Sequence, residues 1–118
     1  MSGRVTALQT TSGEHQTFTE LSHAATSLPP DYLANRYSVL FHGVGLCDEY
    51  PAVPYPGDWG RSGYDGVLAP GMIVCVESYI GRHGGHEGVK LEEQVLITET
   101  GHEQMSRYPR DMRLTSQG

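Results

Sequence analysis

The sequence is short of cations and cysteines and has no long apolar run. Eight lysines and arginines stand against 14 aspartates and glutamates in 118 residues, a formal net charge of −6 with histidine neutral. Without a basic stripe to neutralise phosphates, nucleic acid is not an expected partner. No stretch approaches the roughly 18 apolar residues that a membrane span requires, so no membrane partner is expected either. The opening residues, MSGRVTALQTTSGEH, lack the apolar centre of a secretory signal. The expectation is a soluble, cytoplasmic chain. Cys47 and Cys75 are too few for a disulfide framework and lack the paired spacing of a zinc knuckle, so both read as reduced thiols.

What is present points to strands and turns. Gly and Pro together make 22 of 118 residues, against 37% hydrophobic residues, which disfavours a helical bundle and allows a lean core. The length fits one domain. Residues 14–27 read as a helix, with Phe18, Leu21, Ala24, Ala25 and Leu28 at helical spacing and Ser12 as the N-cap. Pro29-Pro30 ends that pattern. Residues 31–36 are a connector, and residues 37–42 are a short strand followed by the turn Gly43-Val44-Gly45. Residues 47–70 carry many prolines and glycines together with Tyr50, Tyr55, Trp59 and Tyr64, and read as an irregular, ordered, functional loop. Residues 71–80 and 90–98 read as strands of an antiparallel pair. They are joined by a glycine-rich turn with His83 and His86, and a second turn spans residues 100–103. The tail from residue 110 is polar and expected to fray.

Three acids and a histidine break the apolar pattern. Alternation puts Glu77 on the face of Ile73 and Cys75, where a carboxylate needs a cationic or metal partner. Glu92 and Glu93 interrupt the next strand. Counting apolar neighbours sets Glu93 with Leu91, Val95 and Ile97, but alternation leaves open which of the two faces inward. His42 ends an apolar run. A histidine at a strand end with a glutamate on each of two partner strands is a nitrogen-and-oxygen donor set suited to iron, manganese, cobalt or zinc.

The segments His42-Gly43-Val44-Gly45, Val76-Glu77-Ser78 and GVKLEEQVLIT (residues 88–98) resemble the end of the pita-bread metalloenzyme superfamily, which includes prolidase, Xaa-Pro aminopeptidase and creatinase. Its ligand order is Asp, Asp, His, Glu, Glu. The resemblance implies that the last three are His42, Glu77 and Glu92, the first of the adjacent glutamates, with a bulge or local twist reconciling Glu92 with the alternation. It implies an α+β fold: the C-terminal half of a pita-bread domain, an N-terminal helix with a curved antiparallel sheet. Within the superfamily, YSVLFHGVGLCDEY (residues 37–50) and residues 77–109 look like the dimethylsulfoniopropionate lyases of marine bacteria. The peptidases usually carry a second histidine shortly after the first. Residues 45–50 contain none, and Asp48 stands there instead.

This likeness implies a carbon–sulfur lyase that converts dimethylsulfoniopropionate to acrylate and dimethyl sulfide. Asp48 would be the base, Tyr37 its hydrogen-bonding assistant, and a divalent metal pair, iron by family, the cofactor. The substrate would be a small molecule and the full-length protein a homodimer. Trp59 or Tyr64 is a candidate to face the sulfonium, and His83 and His86 to line the mouth of the site. Only Asp31 precedes His42, so the two upstream aspartates are missing. The whole of residues 1–118 is therefore expected to be a C-terminal fragment of the catalytic domain, poorly folded and barely active alone. A proline-directed metallopeptidase and a non-catalytic pita-bread binding module are the alternatives.

Overall fold

A computed structural model of the chain describes residues 16–25, 27–46, 49–109, 111 and 113. Helix α1 (Phe18–Ala24) precedes strands β1 (Val39–Gly43) and β2 (Ala52–Pro54), a short helix α2 (Trp59–Ser62), and strands β3 (Ile73–Gly81), β4 (Gly88–Ile97) and β5 (His102–Gln104). The five strands form one antiparallel sheet in the order β2-β1-β3-β4-β5. This is the α+β arrangement expected from the sequence.

Helix α1 is shorter than its apolar spacing predicts. Thr17, not Ser12, caps it. The Thr17 hydroxyl accepts from the Glu20 amide at 3.1 Å, and the Glu20 carboxylate accepts from the Thr17 amide at 3.2 Å. This reciprocal box satisfies two amides that a helix start leaves open. The residues just upstream are held as extended chain: Thr17 bridges to Val67, Phe18 donates to the Gly66 carbonyl and Leu68 donates to that of Gln16. That pairing overrides the helical periodicity before Phe18. Ser12 and the first residues of the predicted helix lie outside the described residues. Ala25 is already extended, so the helix stops well before Pro29.

The helix buries Phe18 and Leu21 against Leu40, Phe41, Val53, Val74, Val76, Val95 and Ile97, with Tyr55 and Leu68 completing the core. Each such side chain contributes about 1.5–3 kcal/mol on burial. The loop predicted over residues 47–70 is more structured than its composition suggests. Pro54 ends edge strand β2 and Pro56 opens a 3₁₀ turn, Pro56–Asp58, that runs into α2. Both are positions that cost no backbone hydrogen bond. Arg36 ties this segment down, reaching Asp58 at 2.5 Å and lying 5.1 Å from the centre of the Tyr55 ring. The turn predicted at residues 100–103 is tighter: Thr98 donates to the Gly101 carbonyl, and β5 begins at His102.

Two features of the sheet position the site. First, β1 advances two residues, Val39 to Phe41, while β2 moves one, Pro54 to Val53, so Leu40 is the extra residue of a bulge. Second, β3 and β4 pair without interruption from Ile73↔Leu96 to Gly81↔Gly88. The hairpin between them turns through Gly84 at φ +75°, a conformation that favours glycine.

Gly43 closes β1 directly beside His42. Its amide donates to the Pro51 carbonyl at 2.7 Å and to that of Glu49 at 3.2 Å, which brings the β1–β2 connector back onto the strand end. A Cβ at this position would overlap the Tyr50 carbonyl group and come within 2.8 Å of Pro51 Cδ. Gly43→Ala is therefore expected to destabilise the chain by about 1–3 kcal/mol, the usual cost of forced overpacking. In urea this appears as a lower midpoint at unchanged slope. An unchanged midpoint would show that the connector moves aside freely.

Candidate metal centre

Opposite residues in neighbouring strands share a face, so the register assigns the site. His42 lies across from Cys75, Cys75 from Gln94, and Glu77 from Glu92. Phe41, Val76 and Glu93 are likewise in line, on the other face, with the helix-covered core. The two adjacent glutamates thus point to opposite sides. Glu93 is buried on the core side and accepts from the Gln104 side chain at 2.9 Å. Glu92 stands on the face of His42 and Glu77. No bulge in β4 is needed to put it there.

The His42 ring is buried, and its Nδ1 lies 2.8 Å from the Gly43 carbonyl. That carbonyl can only accept, so Nδ1 is the donor, and Nε2 is the ring nitrogen that faces the carboxylates. This second contact is the kind that fixes a ligating imidazole. Nε2 lies 3.4 Å from Glu77 Oε2 and 3.9 Å from Glu92 Oε1. The Glu77 side chain is only 2% exposed and that of Glu92 is 40% exposed, so the group opens toward solvent on the Glu92 side.

Like charges directly opposite on adjacent strands repel, and here a cation offsets them. Lys90 Nζ is 2.8 Å from Glu77 Oε1 and 3.9 Å from Glu92 Oε2. Burial pushes the Glu77 carboxyl up, but the Lys90 hydrogen bond and the charges of His42 and Lys90 outweigh it and hold it below its usual range. Tyr37 completes the wall. Its ring centre is 4.8 Å from Lys90 Nζ, and its hydroxyl hydrogen-bonds Glu77. Burial first, then the Glu77 charge, raises the Tyr37 hydroxyl above its ordinary value.

Sequence reasoning passed over one residue of this face, Lys90, which was within reach of the alternation two residues from Glu92; it set Cys75 beside Glu77 but read it only as a reduced thiol. His42, Cys75 and Glu92 each offer a ligand atom, all within 4.8 Å of one another. The Cys75 thiol, however, is pushed up to about 12 by burial and by a hydrogen bond to Glu92. Thiolate is the ligating form, so the imidazole and the two carboxylates are the better donors. One imidazole and two carboxylates, with a cation already drawn between the carboxylates, fit a divalent metal.

Other expected site residues fall elsewhere. Residues 47 and 48, and with them Asp48, lie outside the described residues. Trp59, partly buried, packs against the apolar core, and Tyr64, exposed, sits edge-on to the core residue Phe18 at 6.1 Å, so both rings lie with the core side and not on the metal-site face. Tyr37 and Tyr79 are the aromatics on that face, the latter placed there by its pairing with Lys90. His83 and His86 are exposed on the hairpin turn. His83 donates its amide to the Asp31 carbonyl, and His86 lines a shallow groove with Tyr32, Ile80, Arg82 and Val89.

A helix-backed antiparallel sheet with an imidazole and two carboxylates on the face away from the helix matches a known class. The model of metallopeptidase family M24 matches residues 6–99, and the chain belongs to that family. Within it, the chain is 50% identical over 95 residues to dimethylsulfoniopropionate lyase DddP of Roseovarius nubinhibens and 48% identical over 92 residues to that of Roseobacter denitrificans. These alignments cover 80% and 78% of this chain but 21% of each lyase, so the chain spans about a fifth of their length. It is 34% identical over 99 residues to the Xaa-Pro dipeptidase of Pyrococcus furiosus, covering 79% of this chain and 25% of that protein. Among solved structures, the prolidase of Pyrococcus horikoshii superposes with TM-score 0.66 at 28% identity, covering 93% of this chain and 30% of that one. These neighbours carry the pita-bread fold expected from the sequence.

Proposed function

We propose that this chain supplies part of the active site of a metal-dependent carbon–sulfur lyase that cleaves dimethylsulfoniopropionate to acrylate and dimethyl sulfide. The observation that carries the reading is the identity of 50% and 48% to two such lyases over about four-fifths of the chain, against 34% to a dipeptidase. The donor set of His42, Glu77 and Glu92 supports it, because these side chains stand on one face of one sheet.

In this reading His42, Glu77 and Glu92 hold a divalent metal pair, with iron as the expected metal and two aspartates from outside this chain completing the ligands. When bound, that pair supplies positive charge for the substrate carboxylate. Asp48 takes the proton from the carbon next to the carboxylate. The electron pair left behind forms the carbon–carbon double bond of acrylate, and the carbon–sulfur bond breaks with its pair leaving on dimethyl sulfide. Tyr37 holds its hydroxyl on Glu77 and keeps that carboxylate oriented. The homodimer and the cytoplasmic setting belong to the same family-based reading.

The test is a segment exchange. This sequence replaces the matching part of the Roseovarius nubinhibens lyase, and the hybrid is loaded with ferrous iron. Dimethyl sulfide is followed by gas chromatography, beside hydrolysis of an Xaa-Pro dipeptide. Dimethyl sulfide without dipeptide cleavage is the expected result. Dipeptide cleavage without dimethyl sulfide would move the site to the prolidase reading, which the 34% identity to the Xaa-Pro dipeptidase favours next.

A further inference from the structure

Lys90 is the one lysine of the chain, among eight lysines and arginines in all. Its position is unusual for a strand lysine. The pairing Tyr79↔Lys90 turns it to the same face as Glu77 and Glu92. The ammonium lies 2.8 Å from the buried Glu77 carboxylate, 3.9 Å from Glu92 and 4.8 Å from the centre of the Tyr37 ring. Two carboxylates and the face of an aromatic ring thus converge on one positive charge. The three attractions share a single point charge on a flexible stem.

The Lys90 side chain is 46% exposed, whereas that of Glu77 is 2% exposed. The ammonium therefore enters the site from the solvent side and has room to leave by the same route. The carboxylate it holds is fixed inside. Lys90 also binds the two acids that the metal reading assigns as ligands. His42 Nε2 faces Glu77 Oε2 and Glu92 Oε1, while the ammonium faces the other oxygen of each carboxylate, so a divalent ion shared with His42 would stand beside the ammonium and repel it.

We propose that Lys90 is a resident counter-cation of the metal-free site, holding Glu77 and Glu92 together until a divalent ion displaces it. The inference rests on the metal-binding part of the reading above and not on the lyase chemistry. Its consequence is a sign. A supporting residue beside a metal site strengthens metal binding. A residue that competes for the same carboxylates weakens it.

Two measurements read that sign, both made on the segment-exchange hybrid, which supplies the upstream ligands. In the first, Mn²⁺ is titrated calorimetrically into the unaltered hybrid and into Lys90→Met and Lys90→Arg. Lys90→Met keeps the stem and removes the competing charge. It is expected to bind Mn²⁺ roughly tenfold more tightly, a difference of about 1.4 kcal/mol, while Lys90→Arg does not. In the second, the unaltered hybrid is treated with an acetylating ester, and acetylation at Lys90 and at the α-amine is resolved by mass spectrometry. Saturating Mn²⁺ is expected to speed acetylation of Lys90 several-fold and to leave the α-amine unchanged.

Equal or weaker Mn²⁺ binding by Lys90→Met overturns the inference, as does Lys90 acetylation that ignores bound Mn²⁺. If Lys90→Met does not fold, the acetylation measurement on the unaltered hybrid decides alone. His42→Ala separates the two levels. If it abolishes Mn²⁺ binding while bound Mn²⁺ leaves Lys90 acetylation in the unaltered hybrid unchanged, the metal site stands and the displacement fails. If Mn²⁺ binds none of the variants, or binds as tightly after His42→Ala, the metal reading falls and takes this inference with it.

Discussion

Glu77→Ala in the segment-exchange hybrid is expected to lose bound metal and to lower dimethyl sulfide production at least about 100-fold, a larger effect than the 10–100-fold typical of a residue that only supports a ligand. Glu77 sits at the centre of the site face. It is 3.4 Å from His42 and 2.8 Å from Lys90, lies opposite Glu92, and is almost wholly buried. β3 carries no second carboxylate on that face, because Cys75 and Tyr79 stand at the flanking positions, and Glu92 opposite is already in the donor set. The comparison variant is Glu93→Gln. Glu93 is also a buried strand glutamate, but it points to the core side and accepts from Gln104. Glu93→Gln keeps an acceptor oxygen there, so metal content and activity are expected to hold while stability falls modestly. Metal is counted by plasma mass spectrometry and dimethyl sulfide by gas chromatography. If Glu93→Gln loses metal and Glu77→Ala keeps it, the assignment of faces is inverted and the site must be rebuilt around Glu93.

That comparison also marks how far the sequence alone reaches. The strands read at residues 71–80 and 90–98, found at Ile73–Gly81 and Gly88–Ile97, were legible because β-branched runs and period-2 alternation agree there. The same alternation correctly set Glu77 beside Cys75 and Glu93 beside Val95 and Ile97. It left Glu92 open, because the residue opposite a buried one is ordinarily solvent-facing. Only the register Glu77↔Glu92 makes that second face a site. Register depends on pairing between strands, which no single strand encodes. The start of α1 was misplaced for a similar reason. Thr17 pairs with Val67, 50 positions along the chain, and a local apolar count cannot see it. Strand β2 was hidden because three residues are too few to show a period. Trp59 and Tyr64 were candidates for the sulfonium on composition, but composition does not say which side of a sheet a ring will take.

Asp48→Asn is expected to lower dimethyl sulfide production by the hybrid about 100- to 10,000-fold, the range for loss of a general base, with metal content unchanged. The pairing of results is what carries the assignment: Glu77→Ala removes metal and turnover together, and Asp48→Asn removes turnover alone. Asn keeps the shape and the acceptor oxygen of Asp and discards only its capacity to take a proton. A carboxylate with an ordinary pKa is a weak base toward carbon, so the site around it must raise that basicity by excluding water. In the proposed reading that site is complete only in the hybrid. Two outcomes follow from that argument. The 118-residue chain alone should produce so little dimethyl sulfide that Asp48→Asn changes nothing measurable, whereas in the hybrid the same substitution should be severe. A hybrid that keeps turnover within a few-fold after Asp48→Asn would remove Asp48 as the base. Loss of metal together with turnover would instead make Asp48 part of the metal site.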